Sequence, residues 1–398
     1  MRKLLIIIVL IPLLCGLGWW YFRERPLPNY GPAYREYAYV TNGKSNTVSV
    51  LDLRTFALAK TIAVGLAPTG IAANSQKNEI YVVNTGSNNV SVIDAEKNAV
   101  EATIGVHGRP YFIDVSEDGK RAYVANSGSA NVSVIDLEER IVIGNLRVGS
   151  APGLARVSPD GSTVVVSNRG DNTVSLIDAK LLRVRSTLPV CQQPEDIAIL
   201  PDSSKAFVAC SGSSQVASIA LESSKERAKN SSDATSDRVL ALLDVGRTPV
   251  SLALKPDGGE LMVCDFDSDS ISIIETGNDE VGSSALVGQH PTRGVITLDN
   301  SRLYVSNFGS DNVAVYDIDL GKRIATVAVG SRPDGLALSP DQRYLLVVDT
   351  QAGDVTVIQK RTARKLEPTE YSLLTMIPVG LQPNAIVVKS FMVRPPAK

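Results

Sequence analysis

The chain is poor in the residues on which many binding and catalytic chemistries depend. Aromatic residues make up 5% of its 398 positions, and it contains two histidines and four cysteines. So few aromatic side chains argue against stacking platforms for sugars or nucleobases. Its 40 basic and 42 acidic residues give a net charge of −2. We therefore expect no nucleic-acid partner, because such proteins carry a basic surface.

Sequence motifs for catalysis and for metal binding are also missing. The chain has no Gly-x-Ser-x-Gly motif between a strand and a helix, which would mark a serine nucleophile. No group of histidine, cysteine and carboxylate residues has the spacing of a metal site. These absences favour a binding protein over an enzyme.

One short motif, however, recurs along most of the chain. Residues 39–42 read YVTN, and the last position of this motif aligns at eight places separated by 42, 42, 42, 42, 55, 42 and 42 residues. A proline recurs beside it with nearly the same spacing. Two independent landmarks in one register establish an internal repeat. The aligned residues are Asn42, Asn84, Asn126, Asn168, Cys210, Asp265, Asn307 and Asp349, and the prolines are Pro68, Pro110, Pro152, Pro194, Pro249, Pro291, Pro333 and Pro383.

Each repeat carries four short strand signals, which we name a, b, c and d. In the repeat at residues 110–148 they are the runs 110–115, 121–126, 131–136 and 143–148. Strand c alternates apolar and polar residues, as expected of a strand with one buried face. A four-stranded unit repeated at 40 to 50 residues is typical of a β-propeller blade.

The repeat resembles the YVTN-type β-propeller repeat over residues 37–389. The motif occurs here as Tyr-Val-Thr-Asn, Tyr-Val-Val-Asn, Tyr-Val-Ala-Asn and Tyr-Val-Ser-Asn, each followed by a strand similar to Val-Ser-Val-Ile-Asp. The resemblance implies an all-β propeller. Many propellers of this family have seven blades. The fold alone implies no particular activity, because propellers host many functions.

The ends of the chain predict how the ring closes. The first repeat begins at strand b, and the chain ends on an unpaired strand a at residues 383–388. Three strands from the start and one from the end make a complete blade. Together with the seven complete repeats this predicts eight blades, with seven and one displaced unit as the alternative. Closure would remove the exposed sheet edges that promote aggregation.

The first 22 residues differ from the rest. Residues 4–22 carry no charge and end in Trp19–Tyr21, with Arg2 and Lys3 before them. This length and this aromatic belt predict an N-terminal membrane anchor. A cleaved signal and lipidation at Cys15 are the alternatives. In all three cases we expect the propeller outside the cytoplasm, either in the periplasm or at the cell surface.

The remaining boundaries follow from the repeat. Residues 23–36 contain three prolines and predict a short stiff tether, and residues 390–398 form a tail. The tether reaches the propeller at the start of strand b. This point lies on the rim that carries the a–b and c–d turns, and we call this rim the tether rim. The opposite rim carries the b–c and d–a connections, and we call it the outward rim. Two polar insertions, within 222–237 and 360–371, fall on the tether rim and are predicted to be solvated loops.

The outward rim is where we expect function, because loops at the mouth of a rigid ring commonly carry ligand contacts. Several residues there depart from the repeat, and arginine among them can grip a carboxylate or phosphate. They predict an anion-binding mouth, with solvated loops joined by ion pairs as the alternative. The predicted ligand-binding residues are Arg109, His290, Arg332, Arg293, Arg247, His107, Asp196 and Asp334, with Arg169 and Glu195 nearby.

The sequence therefore predicts a membrane-tethered extracytoplasmic scaffold that binds a small anionic ligand or a protein partner through its outward rim. The alternative is a propeller enzyme, either a lactonase-like hydrolase or a haem- or cofactor-binding oxidoreductase-type protein. No catalytic, metal-binding or cofactor residue can be assigned for that alternative. An exported compartment also permits a disulfide between Cys191 and Cys210, with two buried thiols as the other reading.

Overall fold

The described residues form thirty-two strands in eight four-stranded antiparallel sheets. They come from a computed structural model that describes residues 31–222, 236–361 and 370–393. The strands of each sheet lie in the order a, b, c, d, and the eight a strands contact one another in an unbroken ring. The fold is an eight-bladed β-propeller, so the expectation of eight blades is confirmed.

The first four blades contain these strands. Blade 1 consists of β1 (Tyr34–Asn42), β2 (Thr47–Asp52), β3 (Ala57–Ala63) and the last strand, β32 (Pro383–Met392). Blade 2 consists of β4 (Pro68–Ala73), β5 (Glu79–Asn84), β6 (Asn89–Asp94) and β7 (Ala99–Gly105). Blade 3 consists of β8 (Pro110–Val115), β9 (Arg121–Asn126), β10 (Asn131–Asp136) and β11 (Ile141–Arg147). Blade 4 consists of β12 (Pro152–Val157), β13 (Thr163–Asn168), β14 (Thr173–Asp178) and β15 (Arg183–Pro189).

The other four blades follow in chain order. Blade 5 consists of β16 (Pro194–Ile199), β17 (Lys205–Cys210), β18 (Gln215–Ala220) and β19 (Arg238–Asp244). Blade 6 consists of β20 (Pro249–Leu254), β21 (Glu260–Asp265), β22 (Ser270–Glu275) and β23 (Glu280–Leu286). Blade 7 consists of β24 (Pro291–Ile296), β25 (Arg302–Asn307), β26 (Asn312–Asp317) and β27 (Lys322–Ala328). Blade 8 consists of β28 (Pro333–Leu338), β29 (Tyr344–Asp349), β30 (Asp354–Arg361) and β31 (Glu370–Pro378).

The hydrophobic core is divided among the eight interfaces between neighbouring blades. The eight clusters of buried apolar residues each join two adjacent blades, as Tyr81 of blade 2 and Ile113 of blade 3 illustrate. Strand b is buried on both faces, because each blade has a neighbour on both sides. The d strands lie at the outside, and most of their side chains are exposed or half-buried. No blade buries its apolar residues alone.

Blade 1 closes the ring by pairing the two ends of the chain. Strand β32 lies antiparallel to β1, with Tyr34 opposite Met392 and Val40 opposite Ile386. This pairing extends three residues beyond each of the predicted propeller limits, 37 and 389, because residues 34–36 pair with residues 390–392. The predicted tether therefore loses its last three residues to the sheet.

The asparagine at the end of the YVTN motif fastens the outward end of each blade. Asn84 is fully buried, and its amide donates hydrogen bonds to Asn89 at 2.7 Å and to Ser91 at 2.9 Å on strand c. The d–a connection packs on it closely, since a Cβ atom on Gly65 would lie 2.7 Å from the Cβ of Asn84. The glycine is needed here for close approach of the backbone. Asn42, Asn126, Asn168 and Asn307 donate in the same way.

Blade 8 replaces this amide with a carboxyl group. Asp349 is fully buried and pairs across the strands with Asp354, where blade 2 has two asparagines. Burial raises the pKa of Asp349 to about 8, although a hydrogen bond from Thr356 opposes this and the charge of Asp354 adds to it. The neighbouring carboxyl group of Asp354 makes ionisation of Asp349 less favourable, because two like charges repel each other. Asp349 therefore stays protonated to a higher pH than an exposed carboxyl group.

We expect the Asp349→Asn substitution to abolish one pH dependence of stability. The pKa of Asp349 in the folded protein lies above its value in the unfolded chain. Its contribution to the free energy of unfolding is therefore complete below about pH 4 and is lost as the pH rises through about 8. For one proton, the free energy of unfolding changes by at most about 1.4 kcal/mol per pH unit. Urea unfolding should therefore show the variant matching the native protein near pH 4 and exceeding its stability at pH 8.

The Asp299→Asn substitution is the matched control, with the opposite sign. The pKa of Asp299 is lowered to about 2, because hydrogen bonds from Thr297 and Ser301 outweigh partial burial. Its contribution is present above the unfolded pKa and is lost in acid, so this variant should be less stable at pH 7. Parallel stability curves for the native protein and Asp349→Asn from pH 4 to 8 would contradict the raised pKa of Asp349.

No helix in the described part of the chain is long and apolar enough to cross a membrane. The predicted anchor at residues 4–22 lies outside the described residues, as do most of the two predicted loop insertions.

Candidate binding site in the central channel

The inner a strands place a group of charged side chains in the central channel. Since the a strand is the innermost strand of each blade, side chains that leave the interface between blades project into the channel. Most positions there are small or apolar, but six of the eight a strands carry a charged residue. Lys389 of blade 1 donates a hydrogen bond to the carbonyl of Asn74, and Glu195 of blade 5 pairs with Arg169. The other five charged residues form a series of ion pairs with one another. These residues, which we call the channel row, are Asp114 of blade 3, Arg156 of blade 4, Asp196 of blade 5, Arg293 of blade 7 and Asp334 of blade 8.

The channel row alternates in sign along its length. Arg156 lies 4.0 Å from a carboxylate oxygen of Asp114 and 3.9 Å from one of Asp196. Arg293 lies 3.8 Å from the other oxygen of Asp196 and 3.7 Å from Asp334. Asp196 therefore stands between two guanidinium groups. All four distances exceed hydrogen-bonding range, so these contacts are electrostatic.

Two of the carboxylates are held in place by backbone amides. Asp196 accepts hydrogen bonds from the N–H of Ile197 at 2.9 Å and of Leu252 in the next blade at 3.0 Å. Asp114 accepts one from the N–H of Val157 in its neighbouring blade at 3.0 Å. These bonds connect adjacent a strands and fix the carboxylates relative to the ring.

The remaining members of the row keep their hydrogen-bonding groups unused. Within the described residues, the guanidinium groups of Arg156 and Arg293 donate no hydrogen bond to a protein acceptor, and the carboxylate of Asp334 accepts none. The side chains remain partly accessible, at 36%, 48% and 33% respectively. Their donors and acceptors therefore face the space inside the channel.

Burial and charge act together on these groups. Burial raises the pKa of Asp114, and the opposite charge of Arg156 and two backbone hydrogen bonds counteract part of that rise. Burial alone would lower the pKa of Arg293, but Asp334, Asp196 and Tyr111 hold it above its ordinary value. Arg293 therefore stays charged in the channel.

Arg169 lies across the channel mouth on the outward rim. It extends from the b–c turn of blade 4 over Gly153, where a Cβ atom would lie 2.9 Å from its Cδ. Its guanidinium pairs with Glu195 of blade 5 and lies 5.6 Å from the ring centre of Tyr111 in blade 3. Below it, Arg156 stacks on Phe112 at 4.6 Å. The mouth thus combines charge with two aromatic rings.

Three of the eight predicted ligand-binding residues, Arg293, Asp196 and Asp334, come together in the channel row. The other five lie on outward-rim loops, where none makes a described ion pair with the row. Their contacts are with rim neighbours. His290 stacks on the ring of Phe266, and the guanidinium group of Arg332 lies over the ring of Phe308. Arg247 donates a hydrogen bond to the carbonyl of Asp267, and the backbone amide of Arg109 donates one to the side chain of Asn88. The side chain of His107 is hydrogen-bonded to that of Asn131.

The residues preceding the marker prolines have a structural constraint that the sequence pattern did not reveal. All eight adopt a left-handed backbone conformation, including Arg109 at φ 51°, His290 at φ 51° and Arg332 at φ 55°. Their carbonyls accept hydrogen bonds from the b–c turn, as that of Arg109 does from Ser127. The side chains at this position are not fixed by packing, which explains their variety.

The repeat pattern of the sequence did not lead us to predict Asp114, Arg156 and Phe112 as site residues. The signal was present at the fifth position of the a strand, which is Ala or Val in six blades, as in β4 (PTGIAA). Only β8 (PYFIDV) and β12 (PGLARV) carry a charged residue at that position. Among the described residues, no group of three or more His, Cys, Asp or Glu side chains is placed to hold a metal ion.

The structure joins Cys191 and Cys210 in a disulfide, with their Cα atoms 5.6 Å apart. These two positions correspond to the Gly65–Asn84 contact of blade 2, so blade 5 has a covalent link where blades 1, 2, 4 and 7 have a glycine packed on an asparagine. Cys264 is free and buried, and burial raises its thiol pKa. The disulfide lies directly before Asp196 and Glu195 in the chain and anchors their strand.

We expect the Cys191→Ala/Cys210→Ala double variant to unfold at lower denaturant concentration than the native protein. The disulfide closes a loop with a sequence separation of 19, for which the chain-entropy model gives about 3 kcal/mol. Alkylation of the unfolded, unreduced protein should leave these two thiols unmodified while Cys264 reacts. Modification of all cysteines without reductant would contradict the bond.

Two family profiles match parts of the chain. The YNCE-like β-propeller profile matches residues 20–155, and the seven-bladed β-propeller lactonase profile matches residues 288–380. The chain carries the repeats of a β-propeller family. A search of curated protein sequences found no match.

Solved structures with a similar fold come from several kinds of protein. The dihydro-haem d1 dehydrogenase NirN is 15% identical, with a TM-score of 0.71 over 92% of this chain and 77% of its own. Hydrazine synthase of Kuenenia stuttgartiensis is 22% identical, with a TM-score of 0.55 over 70% and 91%. A functionally unknown protein from Desulfotomaculum acetoxidans is 15% identical, with a TM-score of 0.60 over 78% and 99%. These similarities show the fold alone.

Proposed function

We propose that this protein is a binding protein that holds a small ligand, bearing a carboxylate or phosphate group, in the outward mouth of its central channel. The proposal rests on the unused hydrogen-bond donors of Arg156 and Arg293. Both guanidinium groups lie in the channel near carboxylates, yet neither donates a hydrogen bond to them.

A guanidinium group carries five N–H donors in a fixed planar fork that matches the oxygens of carboxylate and phosphate. Neighbouring carboxylates compensate the charge of Arg156 and Arg293, but they leave these donors free. A ligand oxyanion could accept several charge-assisted hydrogen bonds at once, which are stronger than neutral ones. The rigid ring holds the arginines in place before the ligand arrives, so little ordering is required on binding.

The outward rim provides the entrance to this site. Arg109, Arg247 and Arg332 are exposed on rim loops, and we propose that they attract the negative charge of the ligand during encounter. His107 and His290 lie on the same rim and contribute polar surface at the entrance. Recognition on the ring requires no chemical step.

A library of small carboxylates and phosphates, screened by thermal shift, tests the proposal. Compounds that bind the native protein should raise its Tm in proportion to their occupancy. The Arg156→Gln/Arg293→Gln double variant should lose these shifts, because each substitution removes a charged fork of donors. The charge-matched Arg54→Gln/Arg343→Gln variant, altered on the tether rim, should retain them. A library without any compound that separates the two variants would refute channel binding.

We also propose that residues 4–22 anchor the propeller to a membrane, with the tether rim facing the bilayer. The described chain supports the orientation, because β1 begins at Tyr34 and β32 ends at Met392 on the same rim. The outward mouth then opens away from the membrane. The propeller would lie outside the cytoplasm.

Fractionation of cells that produce the full chain tests the anchor. The protein should remain in the membrane pellet after carbonate extraction, and protease added to spheroplasts should digest the propeller. Deletion of residues 2–22 should move the protein to the soluble cytoplasmic fraction. Recovery of the full chain in the cytosol, protected from protease, would contradict both the anchor and its orientation.

A further inference from the structure

Arg293 and Asp334 form an unusual pair at the outward end of the channel row. The Nε of Arg293 lies 3.7 Å from a carboxylate oxygen of Asp334, so the two charges are adjacent without a hydrogen bond. Arg293 has unused donors and Asp334 has unused acceptors within the described residues, and both side chains are partly accessible. The site therefore offers a cationic donor and an anionic acceptor side by side.

From this arrangement we propose that the channel mouth binds a zwitterion of the amino-acid type, with its carboxylate on Arg293 and its ammonium group on Asp334. This inference rests on the proposed function and names the ligand class. A carboxylate next to an ammonium group matches the pair in sign and in hydrogen-bonding role. Both partners can then form charge-assisted hydrogen bonds that they do not form with each other.

The charge of the channel row argues against a simple anion. Arg156 and Arg293 face three carboxylates, those of Asp114, Asp196 and Asp334, so carboxylates outnumber guanidinium groups. An anion on Arg293 would approach Asp196 and Asp334 as like charges in a partly desolvated channel. An ammonium group on the same ligand removes this repulsion, and repulsion of the unpaired anion gives selectivity.

The two carboxylates next to Arg293 have different environments, and this assigns their roles. Asp196 accepts two backbone N–H groups and is almost fully buried, so it serves mainly to position Arg293. The carboxylate of Asp334 accepts no hydrogen bond within the described chain and its side chain is 33% accessible, so it is available to a ligand. Tyr111 is 40% exposed and offers an aromatic surface for the ligand's body.

The test compares amino acids with their deaminated analogues by calorimetry on the full chain. The probes are the twenty amino acids and matched acids such as propionate for alanine and glutarate for glutamate. At least one amino acid should bind, and it should bind about tenfold or more tightly than its analogue, as expected for loss of a hydrogen bond to a charged group. Equal affinity for both members of every pair, or no amino-acid binding, would overturn the inference.

Two substitutions assign the roles. Asp334→Asn should abolish the preference for the amino acid and leave the affinity for the deaminated acid unchanged or higher. Arg293→Gln should weaken both by about tenfold or more. Arg343→Gln, which removes a guanidinium paired with Asp341 at 2.5 Å on the tether rim, is the matched control and should change neither. Near-native Tm values for all three would exclude misfolding.

An unchanged preference in Asp334→Asn would also overturn the inference. Failure of the zwitterion proposal can be distinguished from failure of the proposed function. If deaminated acids bind through Arg156 and Arg293 while amino acids gain nothing, channel binding stands and the zwitterion is wrong. If no compound distinguishes the native protein from the Arg156→Gln/Arg293→Gln variant, both fail.

Discussion

A blade of this protein has two apolar faces, and each must be covered by another blade. The eight core clusters all lie between blades, so no blade is stable alone and the ring must close. Closure depends on β1 and β32, the two ends of the chain, whose pairing supplies the last two interfaces. The central channel is a consequence of this ring, because the innermost strands can approach no closer than their side chains allow.

The same constraint explains why the architecture was readable from the sequence. Each interface needs the same pattern of apolar residues and the same turn chemistry, so the motif recurs every 42 residues and the incomplete first and last repeats add up to one blade. The asparagine of the motif is repeated because it fastens strand c and receives the d–a connection. What the pattern did not predict was the length of the closing strands, since residues 34–36 and 390–392 lie outside the repeat.

The site was less predictable, for a physical reason. Variation among repeats marks positions that packing does not determine, and these include both the outward rim and the channel. At the rim, the residue before each proline is constrained through its backbone, so Arg109 and His290 vary without any need for a ligand. In the channel, Asp114 and Arg156 replace small residues of an a strand and acquire partners from other blades. A single sequence does not show which blades bring their side chains into contact with each other in the channel.

Buried contacts and accessible charges therefore occupy different positions of one repeat. Asn84 and its counterparts are buried, and their amides donate hydrogen bonds to strand c. Where Cys210 replaces this asparagine, a disulfide is present, and where Asp349 replaces it, burial raises the pKa of the carboxyl group to about 8. The side chains of Arg293 and Asp334 are partly accessible and make no hydrogen bond within the described residues. Charged groups kept in a channel without hydrogen bonds contribute little to folding and incur a desolvation cost. We propose that a ligand completes them, whereas the rest of the ring is accounted for by its own packing.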